Sequence, residues 1–216
     1  MLMRPRVIVN CAMSADGKIA LESRRQTRIS SDQDIARVHR LRNRCDAILV
    51  GVETVLCDDP GLLVKEKYVT RARRPLRVVL DSKGRTPPDA KVVSPDARTL
   101  IVFAGKPIRN RWGPNVEVVA AGAGPRISIP ALLEELGRRG IRRLLVEGGG
   151  TVIWSFLREG AVDRLMIYVG SLALGGSGPT PCGGEGARSL DEAVRLRLVG
   201  ARRLGGGMLL TYKPQR

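Results

Sequence analysis

Aromatic residues are scarce in this 216-residue chain: two Phe, two Trp and three Tyr make up 3% of it. That leaves little material for the base-stacking platforms on which single-strand nucleic-acid binders depend. Histidine is scarcer, with His39 alone. Ser-His-Asp or Cys-His nucleophilic catalysis is therefore disfavoured, and His39 reads as a surface or helix-packing residue. The four cysteines, Cys11, Cys45, Cys57 and Cys182, form no Cys-x-x-Cys pair. No zinc-site spacing exists, and reduced, mostly buried thiols are the expectation. No run approaches the roughly 18 apolar residues of a membrane helix. The chain enters a strand directly from Met1-Leu-Met-Arg-Pro-Arg, without the pattern of a secretory signal. A cytoplasmic protein with no membrane partner is expected.

What is abundant is positive charge. Net charge is +16, and 30 of the 37 basic residues are arginine. A basic chain attracts polyanions, but these arginines are spread along the sequence in twos and threes. No zinc-finger spacing, RNA-recognition aromatic motif or basic-zipper heptad accompanies them. Phosphorylated small molecules explain the charge at least as well as nucleic acid, so no nucleic-acid partner is expected. An arginine-rich nucleic-acid-binding module stays open as the alternative from another class. With 43% hydrophobic residues the chain can bury a substantial core, and the absence of linkers or repeats points to a single domain over 1–216.

Strand-length apolar runs recur at Val7–Asn10, Ala47–Val52, Arg77–Leu80, Thr99–Phe103, Val116–Val119, Leu144–Val146 and Leu165–Gly170. Most are continuously apolar, as suits strands covered on both faces. Helical patterns fall between several of them. Ser31-Asp-Gln-Asp34 is a capping-box pattern followed by Ile35, Val38 and Leu41, with Arg37, Arg40 and Arg44 on the presumed solvated side. A second helix starts near Ser128, carries Pro130 in its first turn and stops at Gly140; a third follows Gly148-Gly-Gly150 and ends at Gly160. The C-terminal stretch Leu196–Val199, Gly205-Gly-Gly207 and Met208–Tyr212 reads as an antiparallel hairpin. The architecture expected is α/β, with a mostly parallel mixed sheet and that hairpin at its edge. Gly105–Asn115 and Gly175–Gly186 read as loops.

Several loops after strands carry polar groups. Val146-Glu147-Gly-Gly-Gly-Thr151 joins a strand to a helix, where glycines permit a sharp turn and helix-opening amides can bind an anion. A tight structural turn explains the same residues. Asn10 to Ile19 holds an Asp16-Gly17 turn and Lys18. Gly51 to Pro60 ends in adjacent carboxylates, Asp58 and Asp59, equally suited to capping, metal binding or holding a sugar. Asp81-Ser-Lys-Gly-Arg85 offers a hydroxyl, an ammonium and a guanidinium, a set that suits a phosphate monoester or a plain basic turn. All lie at the carboxyl ends of predicted strands, where open α/β sheets bind ligands.

Taken in order, Met13-Ser-Ala-Asp-Gly-Lys-Ile-Ala20, His39-Arg-Leu-Arg42, Asp46-Ala-Ile-Leu-Val-Gly51, Thr54-Val-Leu-Cys-Asp-Asp-Pro60, Arg77-Val-Val-Leu-Asp-Ser82 and Val146–Thr151 resemble the riboflavin-biosynthesis reductases. The resemblance runs from about Val7 to Tyr212 and implies a dihydrofolate reductase-like three-layer fold. It also implies hydride transfer from NADPH, or NADH, to C1′ of a ribosylaminopyrimidine 5′-phosphate. Many bacterial members carry a zinc-bearing deaminase ahead of the reductase. This chain looks like the stand-alone archaeal and fungal kind, whose substrate is 2,5-diamino-6-ribosylamino-4(3H)-pyrimidinone 5′-phosphate. The deaminated uracil substrate and dihydrofolate are the alternatives on the same fold, and a non-enzymatic nucleotide binder is a third.

The resemblance implies cofactor contacts at Ala12, Thr54, Asp58, Ser82, Lys83, Gly84, Arg85, Gly148, Gly149, Gly150 and Thr151. Arg42, Lys65 and Glu147 would hold substrate, and Asp58 and Lys18 would handle the proton; no metal and a homodimer are implied. Three departures matter: Glu53 replaces a frequent Gly, Lys65 replaces an Arg of some relatives, and Arg28 sits where bacterial members often have Trp. Lys83 and Arg85 are placed to grip a 2′-phosphate, which favours NADPH.

Overall fold

The computed structural model describes residues 4–24, 27–106 and 108–215. Among the described residues nine strands form one mixed sheet in the order β5-β4-β3-β2-β6-β1-β7-β9-β8. The strands are β1 (Arg6–Met13), β2 (Ala47–Gly51), β3 (Leu76–Leu80), β4 (Thr99–Phe103), β5 (Val116–Ala120), β6 (Arg143–Gly148), β7 (Arg164–Val169), β8 (Leu196–Leu204) and β9 (Gly207–Pro214). The described residues also form four α-helices, α1 (Asp32–Asn43), α2 (Val52–Asp58), α3 (Ile129–Arg138) and α4 (Gly150–Arg158). Among the described residues no helix is long and apolar enough to cross a membrane.

The chain resolves into two compact units, one of residues 1–6 and 39–145, the other of 7–38 and 146–216. In the first, β2, β3, β4 and β5 pair in parallel, Leu49 opposite Val78 and Val79 opposite Ile101. Every residue of β2 and β4 is buried, so continuous apolar runs were the right signal there. Helix α3 begins at Ser128, whose hydroxyl accepts from the Ala131 amide at 3.3 Å. It buries Leu132, Leu133 and Leu136, and the chain leaves at Gly140 with φ +75.

In the second unit β1 pairs with β7 in parallel, while β7–β9 and β9–β8 are antiparallel. The hairpin foreseen from the sequence is longer than its apolar letters indicated. Edge strand β8 is exposed at every residue but Leu204; its arginines, Arg197, Arg202 and Arg203, are of the kind that discourage edge-to-edge pairing. Packing beneath the hairpin comes from Tyr168, Leu204 and Leu209.

Helix α1 departs from its predicted face. Its cap is as expected, the Asp34 amide donating to Ser31 Oγ at 3.2 Å. Its most buried residues, however, are Asp34, Arg37 and His39, whereas Ile35, Val38 and Leu41 are only half-buried. Arg37 is not solvated. Its Nε donates to Asp34 Oδ1 and its Nη2 to Asn10 Oδ1, both at 2.7 Å. A charge survives burial when a partner and hydrogen bonds compensate its desolvation. Arg40 and Arg44 are exposed as expected. Among the described residues no cysteine forms a disulfide, but only Cys11 and Cys45 are buried; Cys57 and Cys182 are exposed. Pro107, in the Gly105–Asn115 loop, lies outside the described residues.

Candidate active site

The first unit carries Thr54, Asp58, the Ser82–Arg85 loop, Arg42 and Lys65. The backbone turns from β2 directly into α2, a seven-residue helix where the sequence showed only a loop. Thr54 and Asp58 are four residues apart and share one helix face, while Val52 and Val55 are buried. The adjacent carboxylates then divide. Asp59, left-handed with φ 41, caps the helix and binds Lys91 through its amide at 2.8 Å and its ammonium at 3.1 Å. Asp58 makes no such commitment: its Oδ1 is buried without a hydrogen-bond partner among the described residues. Burial raises its pKa above the ordinary carboxylate value.

Parallel strands β2 and β3 end at the same edge, so the 82–85 loop emerges beside α2. Asp81 is fully buried, and its Oδ2 accepts from the Thr86 amide and hydroxyl, each at 2.7 Å. Gly84 adopts φ +68, and a Cβ there would lie 2.7 Å from Ile108 Cδ1 and 3.1 Å from Phe103 Cε1. Only glycine satisfies both the dihedral and the space. Ser82, Lys83 and Arg85 stay exposed. Arg85 is nevertheless engaged, with Nη1 2.6 Å from Glu53 Oε1 on α2. The residue that departs from the common glycine of relatives therefore occupies the guanidinium expected to grip a 2′-phosphate.

Arg42 and Lys65 meet through backbone. Arg42 Nη1 donates to the Leu63 carbonyl at 3.1 Å, and one turn earlier His39 Nδ1 accepts from the Lys65 amide at 3.2 Å. Lys65 itself is exposed.

The second unit carries Ala12, Lys18, Glu147 and the Gly148–Thr151 turn. Ala12 lies on β1 opposite Tyr168 of β7. Lys18 closes a turn whose backbone pairs with Ser14: the Ser14 amide donates to the Lys18 carbonyl at 2.8 Å, and the Lys18 amide to Ser14 Oγ at 2.9 Å. Asp16 ties this turn to the 171–177 loop, accepting from the Leu174 amide at 3.0 Å, the Gly175 amide at 2.7 Å and Ser14 Oγ at 2.5 Å. The Ser14 hydroxyl foremost, then the two amides, lower its pKa to about 2. Asp16 was legible only as a turn residue; the clasp it forms joins segments some 158 positions apart.

Strand β6 runs through Glu147 to Gly148, rather than ending before the carboxylate. Glu147 is half-buried. Gly148 has φ 151, and Gly149 opens α4 with no side-chain cap. Helix-opening amides need an outside acceptor. The close approach at Gly150 is to the chain's own loop, since a Cβ there would lie 2.5 Å from the Thr180 carbonyl oxygen and 3.0 Å from the Gly183 nitrogen. The structural reading of the triple glycine accounts for Gly150, and the anion reading falls to the amides. Arg28 pairs with Asp32 at 2.5 Å on the exposed surface.

The first unit offers a half-buried carboxylate with one unpartnered oxygen among the described residues and an exposed basic loop; the second offers a helix start without a side-chain cap, and each feature suits a polar, phosphorylated ligand. The chain is 42% identical to the 2,5-diamino-6-ribosylamino-4(3H)-pyrimidinone 5′-phosphate reductase of Archaeoglobus fulgidus, over 98% of this chain and 99% of that protein. It is 40% identical to the protein of the same name from Methanothermobacter thermautotrophicus, covering 97% and 98% of the two. A Thermotoga maritima deaminase/5-amino-6-(5-phosphoribosylamino)uracil reductase superimposes with a TM-score of 0.83 at 27% identity, over 98% of this chain and 57% of that one. The fold is thus dihydrofolate reductase-like, as expected. The model of the RibD C-terminal domain matches residues 5–210, and the chain belongs to that family.

Proposed function

We propose that this chain reduces C1′ of the ribosyl group of 2,5-diamino-6-ribosylamino-4(3H)-pyrimidinone 5′-phosphate to give the ribitylamino product of riboflavin biosynthesis. NADPH is the preferred reductant and NADH is accepted. The observation that carries the reading is full-length likeness at 40–42% to two reductases of that name. Those relatives favour the diaminated substrate over the uracil named for the Thermotoga protein. The reading takes residues 1–216 as one reductase domain, working as a homodimer.

The family implies a nicotinamide cofactor, and two features of the chain suit one. Among the described residues Asp58 Oδ1 is buried and lacks a donor, and α4 opens without a side-chain cap. A bound reduced nicotinamide supplies the hydride. The protein's share is binding, orientation and the proton. Ala12 offers backbone, and Thr54, Asp58, Ser82, Lys83, Gly84 and Arg85 in one unit and Gly148, Gly149, Gly150 and Thr151 in the other are the cofactor-binding residues. Arg42 and Lys65 hold the 5′-phosphate, giving remote binding energy that fixes orientation. Glu147 orients the pyrimidine through its donor groups. Asp58 and Lys18 handle the proton that must reach the departing ring oxygen. Asp58 suits that task because its raised pKa brings a carboxyl closer to neutral working pH.

Absorbance-monitored oxidation of NADPH with the diaminated and deaminated substrates in parallel tests the proposal. Turnover is expected with the diaminated compound at the higher kcat/KM. Cofactor oxidation with neither pyrimidine refutes it.

A further inference from the structure

The segment that presents Lys65 is irregular and conformationally costly. Residues 59–65 belong to no helix or strand, and two of them, Asp59 and Leu62, are non-glycine residues with positive φ of 41 and 50. Leu62 is also buried, at 2% exposure. A left-handed leucine is strained and persists only where its surroundings over-determine it. Those surroundings are supplied in part by α1. One turn of that helix takes hold of the segment at two peptides, Arg42 at the Leu63 carbonyl and His39 at the Lys65 amide.

His39 is built into this grip. It is only 5% exposed, and its ring stacks on Tyr68 with centroids 4.7 Å apart and planes 13° from parallel. Tyr68 closes the helical turn that follows Lys65. One imidazole thus contacts the lysine's own backbone nitrogen and the end of the next turn. Nδ1 is the acceptor in this bond, a role that an imidazolium has no lone pair to fill.

We propose that His39 is a positioning residue for phosphate recognition, fixing the backbone of Lys65 so that its ammonium meets the substrate's 5′-phosphate. This rests on the reading of Lys65 as a phosphate ligand. Lysine is a flexible point charge, so a fixed backbone supplies what the side chain lacks in rigidity.

Two substitutions separate the contacts. His39→Phe keeps a ring against Tyr68 and removes the acceptor. His39→Asn removes the ring, yet its Oδ1 can stand where Nδ1 stood. The reductase assay uses 2,5-diamino-6-ribosylamino-4(3H)-pyrimidinone 5′-phosphate and its dephosphorylated form, and amide hydrogen exchange is followed at Lys65. His39→Phe is expected to raise KM for the phosphorylated substrate by about three- to tenfold, the worth of one hydrogen bond. kcat, and KM for the dephosphorylated form, should stay close to wild type, while Lys65 exchange accelerates. His39→Asn should restore most of both losses despite a lower melting temperature. A His39→Phe enzyme with wild-type KM, or one whose KM rises equally for both substrates, overturns the proposal. Lys65→Ala keeps the two readings distinct. If it leaves KM for the phosphorylated substrate unchanged, Lys65 is no phosphate ligand and both readings fall; if it raises KM while His39→Phe does not, only the role of His39 falls.

Discussion

On the proposed assignment of Arg85 to the 2′-phosphate of NADPH, the Glu53–Arg85 pair makes cofactor choice adjustable at one position. The two side chains are exposed, Arg85 at 45% and Glu53 at 57%, and their charged atoms lie 2.6 Å apart. An exposed ion pair of this kind is worth about 0–1 kcal/mol, so it holds Arg85 only loosely. A hydrogen bond to a charged partner contributes about 1.5–3 kcal/mol, which lets a 2′-phosphate compete for the guanidinium while first having to displace the carboxylate. NADH carries a hydroxyl at that place, which a carboxylate can accept from. Glu53→Gln should therefore tighten NADPH by about three- to fivefold, the upper part of the pair's worth. It should leave NADH unchanged or weaker, so the ratio of dissociation constants should move at least about three- to fivefold toward NADPH. Titration of reduced-nicotinamide fluorescence at low and high salt measures this directly, and screening should shrink the wild-type handicap. In an Arg85→Ala background the Glu53 substitution should change nothing, since a double-mutant cycle isolates the pair. An unchanged ratio in Glu53→Gln, or the same shift without Arg85, refutes the assignment of Arg85 to the 2′-phosphate.

Asp58→Asn should lower kcat by about 10²–10⁴, the usual worth of a positioned acid or base. It should also hold or raise the melting temperature at neutral pH: with a raised folded pKa, Asp58 contributes stability at low pH that is lost as pH rises through that value, so neutral Asn removes a cost. A variant that is active yet less stable contradicts both halves. Asp16 runs the other way. Its folded pKa of about 2 lies below the ordinary 3.8, so the clasp on Leu174 and Gly175 is fully present above the unfolded value and lost as pH falls through about 2. Exchange at those two amides should stay slow at mildly acidic pH in the wild type and become fast in Asp16→Ala; equal rates refute the clasp. Arg77 is buried completely and donates to Thr99 Oγ1, Ser94 Oγ and the carbonyls of Lys91, Ser94 and Ala97. Arg77→Met should cost about 3–5 kcal/mol, or about 6–20 °C in Tm at 2–4 °C per kcal/mol, and Arg77→Lys should not rescue it because the fork geometry is lost. A melting temperature within a degree or two of wild type contradicts that role.

Legibility in the sequence followed the kind of force at work. Strand β4 was read residue for residue as Thr99–Phe103, because burial on both faces demands an unbroken apolar run. The caps at Ser31 and Ser128 and the hairpin around Gly205 are local chemistry and equally readable. Helix α2 was not. Val52, Thr54 and Val55 favour strands, and a seven-residue helix is too short for an amphipathic period to declare itself.

The face of α1 was misread for a deeper reason. Binary patterning assigns charged residues to solvent, yet Asp34 and Arg37 neutralise each other inside and Asn10 completes the set. That compensation depends on residues 24 and 27 positions away, and no window along the chain contains it. The site shows the same division. Which residues belong to it came through resemblance. Which of Asp58 and Asp59 is tied to Lys91, which carboxylate pairs with Arg85 and which acceptor holds the Lys65 amide depend on contacts between distant segments. Each such bond ends on a stretch with no regular structure of its own, the 59–65 segment, the 82–85 loop or the 171–177 loop. A loop without a backbone ladder must have its polar groups satisfied by side chains from elsewhere. His39, Arg42 and Asp16, which patterning along the chain cannot place, thus satisfy backbone groups of the 59–65 and 171–177 segments.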